Sequence, residues 1–160
     1  MQVPFTKMNS QGNDFVVIDN TGLLYQFDNK KIRSICSRDI VGCDQLLLLN
    51  IKDSNNVTCE IFNQDGSSAK QCGNGMRAIM LFLNRKYNFF DSKIFVNLVP
   101  YNVSFVNEKE IKVSMGNAVF LENIPNGAPE NISISAKDYY YEVSVNSGIR
   151  PWSFSYSHLS

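Results

Sequence analysis

The heptapeptide Gln71-Cys72-Gly73-Asn74-Gly75-Met76-Arg77 holds the residues of this chain best suited to chemistry. Cys72 stands just ahead of an apolar run, residues 76–83, that reads as a helix. A helix start carries unpaired backbone N–H groups and the positive end of the macrodipole. Both favour a thiolate and can hold a carboxylate. Gly73 and Gly75 let a ligand approach the backbone closely. A thiol, an anion cradle and the Asn74 amide within three residues suit chemistry at an amino acid's α-carbon. The competing reading is a small buried cysteine before a helix, with Gly-Asn-Gly serving only as a turn. This segment alone does not separate the two.

Composition narrows the classes. A chain of 160 residues suits one domain, or one compact half of a two-lobed protein. Fifteen basic and fifteen acidic side chains cancel, so no global field favours nucleic acid or an anionic membrane. No run approaches the ~18 apolar residues of a membrane span, and residues 1–9 lack the apolar core of a signal peptide. Cys36, Cys43, Cys59 and Cys72 are irregularly spaced, without a Cys-x-x-Cys pair, and His158 is the one histidine. That spacing argues against a zinc site and for reduced thiols in a cytoplasmic protein.

The elements that must position Cys72 follow from patterning. Residues 4–8 and 15–19 read as strands joined by a loop over 9–13. Asp28 caps a helix carrying Ile32, Ile35 and Cys36 on one face and ending near Arg38. Residues 46–49 are continuously apolar, a strand buried on both faces, and residues 57–62 alternate as a strand before the turn Gln64-Asp65-Gly66. The run 76–83 is apolar on nearly every face before polarity returns at Asn84-Arg85-Lys86. Such a helix is enclosed, as by a sheet wrapped around it. Residues 93–98, 101–106 and 111–115 suggest three further strands, 122–130 a loop or linker, and 139–145 another strand. Residues 147–160 show no periodicity and receive no element.

Four segments read in order sharpen this picture. Gly12-Asn13-Asp14-Phe15-Val16, Gly42-Cys43-Asp44-Gln45-Leu46, Phe62-Asn63-Gln64-Asp65-Gly66-Ser67 and Cys72-Gly73-Asn74-Gly75-Met76-Arg77 closely resemble the N-terminal half of diaminopimelate epimerases. Lys7-Met8 and Val113-Ser114-Met115-Gly116 are similar to that family as well, so the resemblance spans residues 3–116. It implies an α+β lobe, a mostly antiparallel, mixed sheet wrapped around a central apolar helix, paired with a similar second lobe. It also implies a cofactor-free isomerase of lysine biosynthesis, interconverting LL- and meso-diaminopimelate with one thiol from each lobe. Carried over by position, Cys72 is the first-lobe acid/base, and Gly73, Asn74, Asn13, Gln45 and Asn63 bind substrate. No metal takes part. Asp14, Asp44 and Arg77 belong to the motifs in structural roles, Cys36 and Cys59 are core thiols, and Cys43 occupies a position where the family accepts other residue types. His158 reads as a surface residue.

The resemblance has limits. Asn9-Ser10-Gln11 replaces a family His-Gly, and Asn97-Leu98-Val99-Pro100 replaces a Thr-x-x-Gly-like stretch, a change expected to alter a strand edge. The later family segments, including the second cysteine loop, are not found; after Val143-Ser144-Val145 comes Asn146-Ser147-Gly148-Ile149-Arg150 instead of Gly-Asn-Pro-His. The expected organisation is therefore a first epimerase lobe over 1–122, then a linker, one strand and a non-family tail over 123–160. The expectation is a truncated or frame-shifted epimerase with weak or no turnover alone, acting as a homodimer or complemented by a second lobe. The alternatives are a non-catalytic remnant or interaction domain, and a proline-racemase-like isomerase.

Overall fold

The computed structural model describes residues 3–70 and 72–114, together with the backbone of 140–143 and 152–155. The chain divides into a compact unit Met1–Ser114 and a second unit Met115–Ser160. Strands β1 (Thr6–Ser10) and β2 (Asn13–Asp19) pair antiparallel with Ser10 opposite Asn13. Their connection is a two-residue turn, Gln11 and Gly12, both at positive φ, the form that suits the twist of a hairpin. The expected five-residue loop is shorter because this turn lets Asn9, Ser10 and Asn13 join the ladder.

Helix α1 (Asn29–Cys36) starts at Asp28, whose carboxylate accepts from the Lys31 N–H at 2.7 Å, as a capping residue should. It buries Ile32 and Cys36 and stops at Cys36, two residues before Arg38, because Ser37 turns to extended backbone. Strands β3 (Gln45–Asp53), β4 (Asn56–Asn63) and the short β5 (Ser68–Ala69) follow, then helix α2 (Gly73–Tyr87). Strands β6 (Asp91–Val96), β7 (Val99–Asn107) and β8 (Glu110–Val113) complete the sheet. Its order is β1-β2-β3-β4-β6-β7-β8, with β5 on β4. The pairs β2–β3 and β4–β6 are parallel and the rest antiparallel, so the sheet is mixed.

The two parallel pairs decide where the helices lie. Each is bridged by a helix, β2-α1-β3 and β4-α2-β6, and both crossovers step the same way along the sheet. Because β4 runs opposite to β3, crossovers of the one favoured hand put α1 and α2 on opposite faces. Side chains agree. Leu46 and Leu48 cluster with Ile32 and Cys36 of α1, whereas the intervening Leu47 lies beside Gly75 of α2. Thus Leu46, Leu47, Leu48 and Leu49 are all buried, as their unbroken apolar run requires.

α2 is longer than its apolar run. It begins at Gly73 and ends at Tyr87, where Asn88 adopts the left-handed conformation and donates its N–H to Asn84 O. Met76, Ala78, Ile79, Met80, Phe82 and Leu83 are buried, while Arg85 and Lys86 are exposed. The helix touches β1, β2, β6, β7 and β8. Its two ends are tied to the two ends of β2. Asn74 Nδ2 donates to Asn13 Oδ1 at 2.8 Å, and Lys86 Nζ donates to Asp19 Oδ2 at 2.6 Å, joined there by the Tyr87 hydroxyl. Twelve helical steps cover about 18 Å, and six strand steps cover about 20 Å, so helix and strand match in length.

Of the stretch expected to alter a strand edge, Asn97-Leu98-Val99-Pro100, the first two residues are the β6–β7 turn, both at positive φ, and the last two open β7. In the second unit, β9 (Tyr140–Val143) lies within the strand expected over 139–145. It pairs antiparallel with β10 (Trp152–Ser155), an element the sequence does not indicate. The expected loop over 122–130 lies outside the described residues. No helix of the described residues is long and apolar enough to cross a membrane.

The Asp19–Lys86 tie has a measurable pH signature. Burial raises the Asp19 pKa, but hydrogen bonds from Lys86, Thr21 and Tyr87 outweigh it and bring the group from 3.8 to about 2. A depressed carboxylate stabilises the fold above its unfolded pKa and loses that contribution as pH falls towards its folded one. Urea unfolding of Lys86→Met is expected to show lower stability than the unsubstituted chain at neutral pH and a flatter loss between about pH 4 and pH 2. Parallel curves for the two proteins would contradict the tie.

Candidate functional site

The sheet register brings the site residues of the sequence to one rim. Gln45 opens β3, opposite Asn63 at the end of β4 and level with Phe15 on β2. Asn13 lies two residues before Phe15 and therefore on the same face, which is also the Leu47 and α2 face. Because α2 begins after the end of β4, its first turn opens at this same rim.

Cys72 is the N-cap of α2, with extended backbone at φ −154°. Its Sγ accepts from the Gly75 N–H at 3.1 Å, and its carbonyl accepts from the Met76 N–H at 3.0 Å. Helix geometry leaves the N–H groups of Gly73 and Asn74 without intrahelical carbonyl partners. The thiol is half-buried. Burial pushes its pKa up, and the N–H groups of Gly75 and Asn74 pull it down; burial prevails. The helix start thus supplies the expected donors, yet the thiol is held in its protonated form rather than as the thiolate that the helix start alone would favour. Cys59 on β4 is buried, and burial together with the neighbouring Cys72 pushes its thiol up.

Close approach favours glycine at position 75. A Cβ there would lie 3.1 Å from Cys72 Sγ, 3.2 Å from Cys72 Cβ and 3.5 Å from a Leu47 methyl. The glycine lets the helix seat its first turn on β3 and keep the sulfur over its own N–H.

The amides form two linked pairs. Asn74 is bonded to Asn13, and Gln45 Nε2 donates to Asn63 Oδ1 at 3.0 Å. Asn63 Nδ2 donates to Ser67 Oγ at 3.0 Å, and Ser67 donates its hydroxyl to Asp65 Oδ1. An ionised carboxylate only accepts, so Asp65 sets the direction of the whole relay. Ser67 must donate to it, Asn63 must present its NH2 to Ser67, and Gln45 must present its NH2 to Asn63. Among the described residues, Gln45 is left with its carbonyl oxygen unused.

A charged clasp stands behind the rim. Asp14 N–H donates to Asp44 Oδ2 at 2.9 Å, and Asp44 N–H donates to Asp14 Oδ1 at 2.9 Å. Arg38 Nη2 spans both carboxylates, at 2.9 Å from Asp14 and 2.8 Å from Asp44. Lys7 pairs with Asp14 at 2.7 Å. The Arg38 guanidinium holds the Asp14 carboxyl well below the usual carboxylate range, against a smaller upward pull from burial. The clasp locks the parallel start of β2 and β3, and so fixes Asn13 and Gln45, the residues beside its two carboxylates. The sequence marks Asp14 and Asp44 as structural but does not single out Arg38, whose role depends on the chain leaving α1 at Ser37 and doubling back.

Gly75→Ala tests the close approach. Alanine is the better helix former by about 1 kcal/mol, but the collision with Cys72 and Leu47 should reverse the sign, for a net loss of about 1–3 kcal/mol. Displacing the sulfur from its N–H donor should also move the thiol's titration further up, read from the pH dependence of iodoacetamide labelling at Cys72. A stabilised variant with an unchanged labelling profile would contradict the packing described.

Comparison with known proteins places this arrangement. The sequence pattern of the family described as diaminopimelate epimerase matches residues 5–121. Diaminopimelate epimerase of Coxiella burnetii is 36% identical over 156 residues, covering 93% of this chain and 54% of that protein. The enzyme of Blochmanniella floridana is 36% identical over 121 residues, covering 72% of this chain and 44% of that one. The chain spans about half the length of the curated relatives it matches. Among solved structures, a phenazine biosynthesis protein of the PhzF family from Enterococcus faecalis superposes with a TM-score of 0.54 at 14% identity. That likeness covers 69% of this chain and 43% of the other, and shows a shared fold. With the family pattern running through every strand of the first unit and through the Cys72 turn, the chain belongs to the diaminopimelate epimerase family, a family of isomerases.

Proposed function

We propose that residues 1–122 form the first lobe of a diaminopimelate epimerase and that Cys72 is its acid/base thiol. The observation that carries this reading is the rim itself. Four segments separated by up to 61 residues, as measured by the Asn13–Asn74 bond, supply one thiol, helix-start N–H groups and four oriented amides. In this reading the sheet curves about α2, and the lobe works in the cytoplasm without a cofactor.

The chemistry required at an amino acid's α-carbon is proton removal with stabilisation of the resulting charge. The Gly73 and Asn74 N–H groups would receive the substrate carboxylate at the positive end of α2. Asn13, Gln45, Asn63 and Asn74 would orient a doubly zwitterionic substrate by hydrogen bonds without adding net charge. A thiol kept protonated by burial is ready to donate, and a substrate ammonium beside the sulfur would favour its thiolate, ready to accept. Inversion calls for a second proton carrier on the opposite face of the α-carbon. Among the described residues the thiol beside Cys72 is Cys59, buried behind it in the sheet, so a second lobe or a second copy would provide the partner.

A single thiol can remove and return a proton on one face. The isolated chain is therefore expected to exchange the α-hydrogen of diaminopimelate in heavy water slowly and with little inversion. Mass spectrometry of the substrate reads the exchange, and Cys72→Ala should abolish it. Equal exchange in both proteins, or none in either at concentrations that allow self-association, would overturn the assignment in favour of a non-catalytic lobe.

A further inference from the structure

Cys36 and Cys43 lie away from the Cys72 site, on the α1 face of the sheet, in the cluster of Val16, Ile18, Ile32, Leu46 and Leu48. Both side chains are fully buried, yet their sulfurs are 3.2 Å apart. The backbone enforces the meeting. Cys43 donates its N–H to Cys36 O at 3.1 Å, and Gly42 donates to Ile35 O at 3.1 Å, so the chain leaving α1 folds straight back on the helix end. The backbone bond therefore holds the two residues side by side, as a disulfide between them would require.

We propose that Cys36 and Cys43 form an oxidisable dithiol that hydrogen peroxide closes to an internal disulfide. The sulfurs need approach by only about 1 Å to reach bonding distance. In the first step the Cys36 thiolate attacks one peroxide oxygen and the O–O bond breaks, leaving Cys36 as a sulfenic acid. The departing hydroxide takes up the proton lost by Cys36. In the second step the Cys43 sulfur attacks the Cys36 sulfur, and the sulfenic hydroxyl leaves as water with the Cys43 proton. Overall, two thiols and one peroxide give one disulfide and two waters.

The roles follow from the hydrogen bond. Cys43 donates to Cys36, which lowers the pKa of Cys36 and, by the same bond and by burial, raises that of Cys43. Cys36 is therefore the attacking thiol and Cys43 the resolving one. Burial selects the oxidant. Peroxide is close to water in size and can enter through small openings, whereas a bulky disulfide would require α1 to detach. Cys43 directly precedes Asp44, so closure would pull on the Asp14–Asp44 clasp.

The test is peptide mapping of the whole chain after peroxide treatment, with remaining thiols blocked by iodoacetamide in denaturant. The expected result is a Cys36–Cys43 cross-linked species lacking two hydrogens, reversed by dithiothreitol and formed at an unchanged rate in Cys72→Ala. In Cys43→Ala the cross-link should vanish and a dimedone-reactive sulfenic acid should accumulate at Cys36. Mapping the unsubstituted chain decides the pairing even where that variant disturbs the core. Full alkylation of both thiols after Cys72 has been oxidised, or pairing of either with Cys59 or Cys72, would overturn the proposal. The result does not depend on whether the chain exchanges substrate protons.

Discussion

Strand β2 and helix α2 are held to one another at both ends, by Asn13 to Asn74 at one and by Asp19 to Lys86 and Tyr87 at the other. The matched lengths of seven extended and fifteen helical residues make the double attachment feasible without bending either element. Much else depends on it. With α2 running along β2, its first turn must open at the rim where β2 and β3 start and β4 ends. The reversal between β3 and β4 then sends α1 to the opposite face, and β3 becomes the strand enclosed by both helices. The rim combines helix-start N–H groups, strand-end amides and a half-buried thiol because the topology delivers them there.

Polarity at the rim is arranged in layers. One set of charges, the Lys7–Asp14–Arg38–Asp44 cluster, fixes backbone positions. Asp65 acts through Ser67 to direct the Asn63 and Gln45 amides. The Cys72 thiol answers to burial and to the Gly75 and Asn74 backbone donors. A fixed lysine or arginine beside the thiol would lock it as thiolate and hinder its use in both directions of proton transfer.

Local rules made much of this legible in the sequence. The unbroken apolar run 46–49 marked a strand buried on both sides, alternation over 57–62 marked β4, and Asp28 marked a helix start. The site residues were legible only as motifs, since what brings Asn13 to Asn74 across 61 positions is a topology that no local pattern encodes. Arg38 was missed for the same reason. It lies beyond the helix, and its partners become neighbours only when β2 and β3 pair in parallel. The two hairpin turns were obscured by unconventional residues, Gln11 and Leu98, in left-handed conformations that usually call for glycine or asparagine. The helix start that favours a thiolate at Cys72 is visible in sequence, whereas the desolvation that opposes it depends on packing.

The most direct test of the central claim, that this rim is a half-site for diaminopimelate, is a titration of the isotope-labelled chain followed by nuclear magnetic resonance. The account predicts perturbations centred on the backbone amides of Gly73 and Asn74 and on the side-chain amides of Asn13, Gln45, Asn63 and Asn74, with β7 and β8 unaffected. Perturbations elsewhere on the sheet, or none as the ligand approaches saturating concentrations, would contradict it.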